Sequence, residues 1–354
     1  MPVVFGLFFM LCFMKLGRYI LITVVVLISL YQLNTIQINK DIVVSKGDSY
    51  DVFFRAMSWR DANMMKIYLK LHYPQDPTVY PGVYRFEKPL SYGNFLETIS
   101  VPPQPVMVKI TLLEGWSTRD ADALLVKKWY ITPGEYRSYV TNPDTIKAAI
   151  VTYPFLPDTL TSLEWFLYPD TYHIDLNKGK MVEQLVQLQL QTFLKKVRSP
   201  NQDAFVQFNA KLQKDSFDFK MSTYSIVKLA SIIENEEKNN QNKQTIAGVF
   251  LNRIYNGMQL GADVTLCYGK SITYDQCTPS FIVENLYDET NPYNTRRQMG
   301  LPPTPISNPT LQSIEAVLNY KMTNYVYYLH DANGKIYYGA TLQEHNINKE
   351  RYLK

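Results

Sequence analysis

Glu234 ends an apolar run, Ile226-Val-Lys-Leu-Ala-Ser-Ile-Ile233, that carries one charge and is followed by Asn235-Glu236-Glu237-Lys238. Val227, Ala230, Ser231 and Glu234 fall at i, i+3, i+4 and i+7, so on a helix they share one face. A carboxylate on that face borders core side chains and loses hydration, which raises its pKa and suits it to hold a proton as a general acid. A structural reading stays open on this segment alone: a helix leaving the core, with Glu234 its first surface residue. Glu236 and Glu237 read as solvated. Asp263 is the better distant candidate for the second carboxylate that many sugar hydrolases place about 5–9.5 Å from the first.

Other polar clusters could hold a ligand. Asn252-Arg253 ends a helical face, Gly261-Ala-Asp263 follows a glycine cap, and Asn291-Pro-Tyr-Asn-Thr-Arg296 precedes Gly300-Leu-Pro-Pro-Thr-Pro305 and Asn308-Pro309. Proline-stiffened loops bearing Asn, Tyr and Thr offer neutral donors and acceptors to sugar hydroxyls and acetamides, or serve only as turns. Glu114 and Asp170 read as structural. No phosphate loop, Gly-x-Ser-x-Gly elbow or His-Glu-x-x-His motif occurs, and four scattered histidines give no zinc spacing, so neither cofactor nor metal is expected. Cys267 and Cys277 are read either as one small-loop disulfide or as two buried thiols.

The elements that hold these residues can be sketched. A short strand and turn over Ile42–Asp48, helical material to Leu71, a strand over Tyr80–Phe86 and a helix capped by Ser91 make a small unit closed by Val101-Pro-Pro-Gln-Pro105. Val106–Leu113 is a strand with Val106, Val108, Ile110 and Leu112 on one face. Helices follow at Ser117–Trp129 and Tyr136–Ile150, then a loop and strand over Ser162–Tyr172. Lys180–Ser216 is a long amphipathic region in two pieces. The Glu234 helix comes next, then Thr245–Asn256 with Gly257 as its C′ residue, and last a strand pair at Tyr325–Leu329 and Lys335–Tyr338.

The composition is that of a folded protein, with 46% hydrophobic and 19% charged residues. Its 27 tyrosines hint at a sugar-lined cleft, and a net charge of +4 gives no electrostatic case for nucleic acid. Residues 19–39 carry no charge, and as a helix they would extend about 32 Å, enough for a bilayer core. Lys15 and Arg18 precede them, so the expected arrangement is an uncleaved signal-anchor with its N-terminus in the cytoplasm.

The order of these motifs resembles the membrane-bound endolytic murein transglycosylase family (MltG, YceG-like). The resemblance rests on Leu229-Ala-Ser-Ile-Ile-Glu-Asn-Glu236, Ile246-Ala-Gly-Val-Phe-Leu-Asn-Arg253, Gly257-Met-Gln-Leu260, Asp263-Val-Thr265, Asn291-Pro-Tyr-Asn-Thr295, Gly300-Leu-Pro-Pro-Thr-Pro-Ile306, Asn308-Pro309 and Ser313-Ile-Glu-Ala316. Glu114-Gly-Trp116, Leu163-Glu-Trp-Phe-Leu-Tyr-Pro-Asp-Thr-Tyr172 and Glu344-His-Asn346 match in order as well. Departures occur at Gly261-Ala262 and Val264, where the family has Gln-Thr and Pro, at Trp165 in place of Gly, and at Glu237 in place of Thr.

The resemblance implies an α+β fold in three parts: residues 1–39 a cytoplasmic tip and transmembrane anchor, 40–105 a small LysM-like βααβ-type domain, and 106–354 a larger mixed α+β catalytic domain. It implies a lyase that cuts the β-1,4 bond between N-acetylmuramic acid and N-acetylglucosamine within nascent glycan strands. Glu234 would protonate the leaving oxygen and then deprotonate the muramic 6-hydroxyl, which attacks C1 and leaves a 1,6-anhydro end. One carboxylate suffices because the substrate brings its own nucleophile. Asn252, Asp263, Tyr293, Asn294 and Thr295 would orient the sugar or Glu234. The implied partners are peptidoglycan glycan strands, the cytoplasmic membrane and peptidoglycan synthases, with the catalytic domain outside the inner membrane. Two rivals are a non-catalytic peptidoglycan-binding scaffold and a hydrolase that uses water.

Overall fold

Among the described residues of this α+β chain every strand spans only two to five residues and pairs with a single partner, so four two-stranded ribbons lie among helices. The computed structural model describes residues 35–353, apart from 39, 46, 73–78 and 104. The expected anchor lies almost wholly outside the described residues. Among the described residues no helix is long and apolar enough to cross a membrane. The sequence predicts a domain boundary between residues 105 and 106. Internal contacts divide the chain into a first unit, up to Val108 together with Asp175–Lys180, and a second, Lys109–Ile174 with Met181 onward.

The first unit runs β1 (Thr35–Ile36), β2 (Ile42–Val44), α1 (Asp51–Phe54), α2 (Trp59–His72), β3 (Gly82–Tyr84), β4 (Leu90–Ser91) and α3 (Tyr92–Ile99). β1 lies antiparallel to β4, and β2 to β3, with Ile42 opposite Tyr84. The Ser91 hydroxyl accepts the Asn94 amide and caps α3, as its position before Gly93 predicts. Phe53 sits at the centre of the core, edge-on to Tyr84, Phe86 and Phe95. Asn177, on the returning segment, accepts the Val83 amide at 3.0 Å.

Next come β5 (Met107–Thr111), which pairs with β6 (Thr171–Asp175), and the helices α4 (Thr118–Lys127), α5 (Glu135–Thr141) and α6 (Pro143–Thr152). Ser117 and Asp120 form a capping box at the start of α4. That helix stops before the expected Trp129, which adopts φ 60° and is 93% exposed. The single helix expected over 136–150 is two, because Pro143 lacks an amide proton and Asn142 caps the new start through the amides of Asp144 and Thr145. α7 (Met181–Phe193) passes through one π-turn (Leu194–Arg198) and a short break into α8 (Gln202–Lys214), the expected two pieces.

The remaining elements are α9 (Thr223–Glu236), α10 (Asn240–Tyr255), α11 (Asp263–Gly269), α12 (Pro279–Asn285), α13 (Leu311–Leu318), β7 (Tyr327–His330), β8 (Ile336–Gly339) and α14 (Leu342–Tyr352). α9 is covered almost all round, since Ile226, Val227, Leu229, Ala230, Ile232 and Ile233 are each at most 1% exposed. It packs on α10 and α13, which also pack on each other. Close approach needs Gly248 on α10: a Cβ there would collide with the Lys321 carbonyl. Gly257 ends α10 with φ 61°, the left-handed cap its position predicts.

Cys267 and Cys277 form a disulfide, which decides between the two sequence readings. It closes a loop of ten positions, and restricting such a loop in the unfolded chain is worth about 2–3 kcal/mol. Reduction should therefore lower the unfolding free energy by that amount, measured by urea unfolding with and without reductant.

Candidate active site

The last turn of α9 presents three glutamates in three different settings. Glu234 is 3% exposed and faces inward. Its Oε1 lies 3.2 Å from the Lys243 ammonium of α10, and Lys243 is itself 3% exposed. Its Oε2 accepts the Thr310 amide at 2.8 Å and the Thr310 hydroxyl at 2.6 Å. Thr310 is the N-cap residue of α13, and its own side chain makes no capping bond. Glu234 therefore joins α9 to α10 and α13, and every polar neighbour it has is a donor. The burial expected from the apolar run is present, but a buried cation comes with it.

Glu236 and Glu237 correct the sequence reading, which took both as solvated. Glu237 is 4% exposed: its carboxylate accepts the Asn239 amide at 2.7 Å and the Asn242 side chain at 3.0 Å, and lies 3.2 Å from His330. Glu236 is half-buried and accepts one hydrogen bond, from the Tyr328 hydroxyl of β7 at 2.7 Å. Burial lifts its carboxyl above the usual carboxylate range and the Asp263 charge adds to the rise, while Tyr328, His330 and Arg253 oppose it. Two residues along a helix is more than half a turn, so Glu234 and Glu236 point to opposite sides. Sequence could have marked Glu236 only through the strand that covers it, about 90 residues downstream.

Around Glu236 the charges alternate. Arg253, at the end of α10, donates to the Val326 carbonyl at 2.6 Å and to the Leu260 carbonyl, with its guanidinium 5.9 Å from the Tyr327 and Tyr328 rings. Asp263, first residue of α11, forms a two-pronged ion pair with Arg296, 3.0 Å in one arm. Arg253, Arg296, Gly261 and Tyr327 line a pocket of about 470 Å³ beside this cluster. Among the described residues no group of His, Cys, Asp and Glu is arranged to hold a metal ion.

The five residues expected to orient a sugar are not gathered in one place. Asp263 lies in the Glu236 cluster. The Asn252 amide is committed to the Thr323 and Tyr325 carbonyls at 2.8 and 2.9 Å, which ties α10 to the approach to β7. Asn294 and Thr295 are 1% exposed. Asn294 holds the Leu286 and Asp288 carbonyls and so fastens the turn after α12, while the Thr295 hydroxyl pairs with Ala262 and Thr265 and fastens the start of α11. Tyr293 is half-buried, pairs with Thr304 at 2.9 Å and faces a different pocket.

The Pro-rich loop is also largely structural. Ile306 donates to the Ser231 hydroxyl, Ser307 to the Ser231 carbonyl, and the Asn308 amide and side chain both donate to the Trp116 carbonyl. Glu114-Gly-Trp116 thereby lies close to α9, where a Cβ on Gly115 would stand 2.5 Å from the Asn235 oxygen.

The model of the YceG-like family matches residues 42–351. Among curated proteins, the chain is 25% identical over 283 residues to a Bacillus subtilis (strain 168) protein named endolytic murein transglycosylase, covering 77% of this chain and 72% of that one. It is 26% identical over 295 residues to a protein of the same name from Streptococcus pneumoniae (strain D39), with the same 77% of this chain matched but only 50% of that one. The chain thus spans about half the length of the pneumococcal relative. Among solved structures, a yceG-like protein from Listeria monocytogenes superposes with a TM-score of 0.55 at 25% identity, covering 87% of this chain and 98% of that one.

Replacing Glu234 by Gln leaves the Lys243 ammonium buried without a counter-charge, a change that costs about 3–5 kcal/mol. The expected result is a large drop in unfolding free energy for Glu234→Gln, read by urea denaturation. A Glu234→Gln/Lys243→Met double variant should regain most of the loss, because the uncompensated charge is gone.

Proposed function

The chain belongs to the YceG-like family, and from that premise we propose that it is an endolytic lytic transglycosylase of peptidoglycan with Glu236, rather than Glu234, as its acid/base. One observation carries the choice between the two glutamates. Glu234 spends both oxygens on Lys243 and Thr310 inside the core, whereas Glu236 is half-buried, singly hydrogen-bonded and raised above the usual carboxylate range.

In this reading the protonated Glu236 gives its proton to the glycosidic oxygen between N-acetylmuramic acid and N-acetylglucosamine as the C1–O bond breaks. The resulting carboxylate takes the proton of the muramic 6-hydroxyl as that oxygen bonds to C1. The acid is regenerated, no water is consumed, and the fragment ends in 1,6-anhydro-muramic acid. Tethering the nucleophile to the reacting ring replaces a protein nucleophile. Asp263 has a double part: its charge supports the proton on Glu236 and stabilises the positive charge growing at C1. Tyr328 and Arg253 hold the carboxylate once it forms.

The wider reading is also a proposal. Residues 1–39 anchor the chain in the inner membrane, residues 40–105 form a LysM-like domain, and residues 106–354 form the catalytic domain outside the membrane. The uncharged stretch after Lys15 and Arg18 supports the anchor. The Cys267–Cys277 disulfide suits an oxidising compartment. Nascent glycan strands, the membrane and the glycan-polymerising synthases are its partners.

Purified sacculi digested with wild-type protein should yield anhydro-ended fragments by mass spectrometry, and Glu236→Gln should yield none while remaining folded. Reducing ends from wild type would instead indicate hydrolysis, and no products from wild type would leave only a binding role. Glu236 also has a stability signature of known sign. Its folded pKa is raised, so its ionisation costs stability as pH rises from the unfolded carboxylate value through the folded one. At neutral pH Glu236→Gln should therefore be no less stable than wild type.

The pH profile gives a second check. Cleavage should fall as pH rises through the pKa of Glu236, since the acid must carry its proton. Asp263→Asn removes a charge that raises that pKa, so the falling limb should move to lower pH; Tyr328→Phe removes a donor to the carboxylate and should move it higher.

A further inference from the structure

A second pocket in the same unit, about 500 Å³, is lined by Arg119, Arg137, Glu164, Trp165, Tyr268 and Tyr293, among others. We propose that this pocket binds a carboxylate of the peptide stem carried by the muramyl residues, so that the enzyme reads stems as well as sugar. The inference rests on the peptidoglycan reading above.

Charge is the first argument. Glu164 is the only carboxylate in the lining, and both of its oxygens are committed, to the Thr118 amide at 2.8 Å and the Tyr268 hydroxyl at 2.9 Å. Two guanidinium groups remain against it. Arg137 is exposed on α5 and its side chain has no partner among the described residues. Arg119 is held in place: its Nη atoms donate to the Tyr268 carbonyl at 3.3 Å and the Ser271 hydroxyl at 3.2 Å, and it stacks 4.7 Å from the centre of the Tyr268 ring. Its Nε is buried and has no acceptor. A fixed, half-buried guanidinium beside a free one matches a planar anion such as a carboxylate.

Shape and position are the second argument. Tyr268 and Tyr293 stand with ring centres 5.0 Å apart and give the pocket an apolar wall, and Ser138, Thr141 and Thr161 add hydroxyls. An apolar wall, hydroxyls and guanidinium groups together suit a short acylated peptide better than a bare sugar. Tyr268 lies five residues beyond Asp263 on α11, about 7.5 Å along the helix. A stem held here is thus within one saccharide or so of the Glu236 cluster.

The test uses the full chain carrying Glu236→Gln, which cannot consume ligand. Its binding to three soluble probes is measured by calorimetry: the disaccharide-peptide, the same compound with its stem carboxylates amidated, and the peptide-free disaccharide, whose only carboxylate is the lactyl one. The expected order places the disaccharide-peptide roughly tenfold or more above the other two, the range of a hydrogen bond to a charged group. Arg137→Ala, added on an exposed helix face, should abolish that preference while leaving the weaker affinities unchanged. Equal affinity for the free and amidated stems would overturn the proposal, as would equally tight binding of the peptide-free disaccharide or an Arg137→Ala loss common to all three. Failure of wild-type protein to produce anhydro ends would count against the catalytic reading, but would not alter these affinities.

Discussion

The ion pair between Glu234 and Lys243 is the interaction on which the catalytic unit depends. Removing two charges from water costs several kcal/mol each, and only close pairing with further hydrogen bonds offsets that. The Thr310 amide and hydroxyl supply those bonds, so the pair is satisfied only when α9, α10 and α13 take one arrangement. Hydrophobic contact between these helices tolerates small sliding, whereas a buried charge with named partners does not. Once the last turn of α9 is fixed in this way, Glu236 must face the other side, toward β7 and α11.

What surrounds Glu236 is then set by distant parts of the chain. β7 brings Tyr328 and His330, the end of α10 brings Arg253, and the start of α11 brings Asp263 held by Arg296. Loops that look ligand-binding by composition mostly do this positioning. Thr295 holds the turn before Asp263, Asn294 holds the turn after α12, and Ser307 and Asn308 tie α9 to the Glu114-Gly-Trp116 segment. Rigid loops with satisfied polar groups are what keep a single acid/base in register with a long polymer.

α11 links the two candidate sites. Asp263 at its start belongs to the Glu236 cluster, Tyr268 near its end walls the second pocket, and between them Cys267 is bonded to Cys277. The disulfide restrains the segment that follows α11, including Ser271, which orients Arg119. A short helix pinned at both ends gives the two pockets a fixed spacing.

Much of this is legible in the sequence. Apolar periodicity marks helices over residues 226–234 and 245–256, Ser91 marks the start of α3 and Gly257 the end of α10, and the order of short motifs points to the family. Those signals are local, because helix faces, caps and turns depend on neighbours within a few positions. The setting of each glutamate depends on tertiary structure. The apolar run singles out Glu234, yet Lys243 and Thr310 neutralise it from two other helices, while Tyr328 and Asp263 convert a residue that reads as solvated into a half-buried acid. The charge state and exposure of a side chain are set by whatever packs against it, and those partners lie 9 to 92 residues away along the chain.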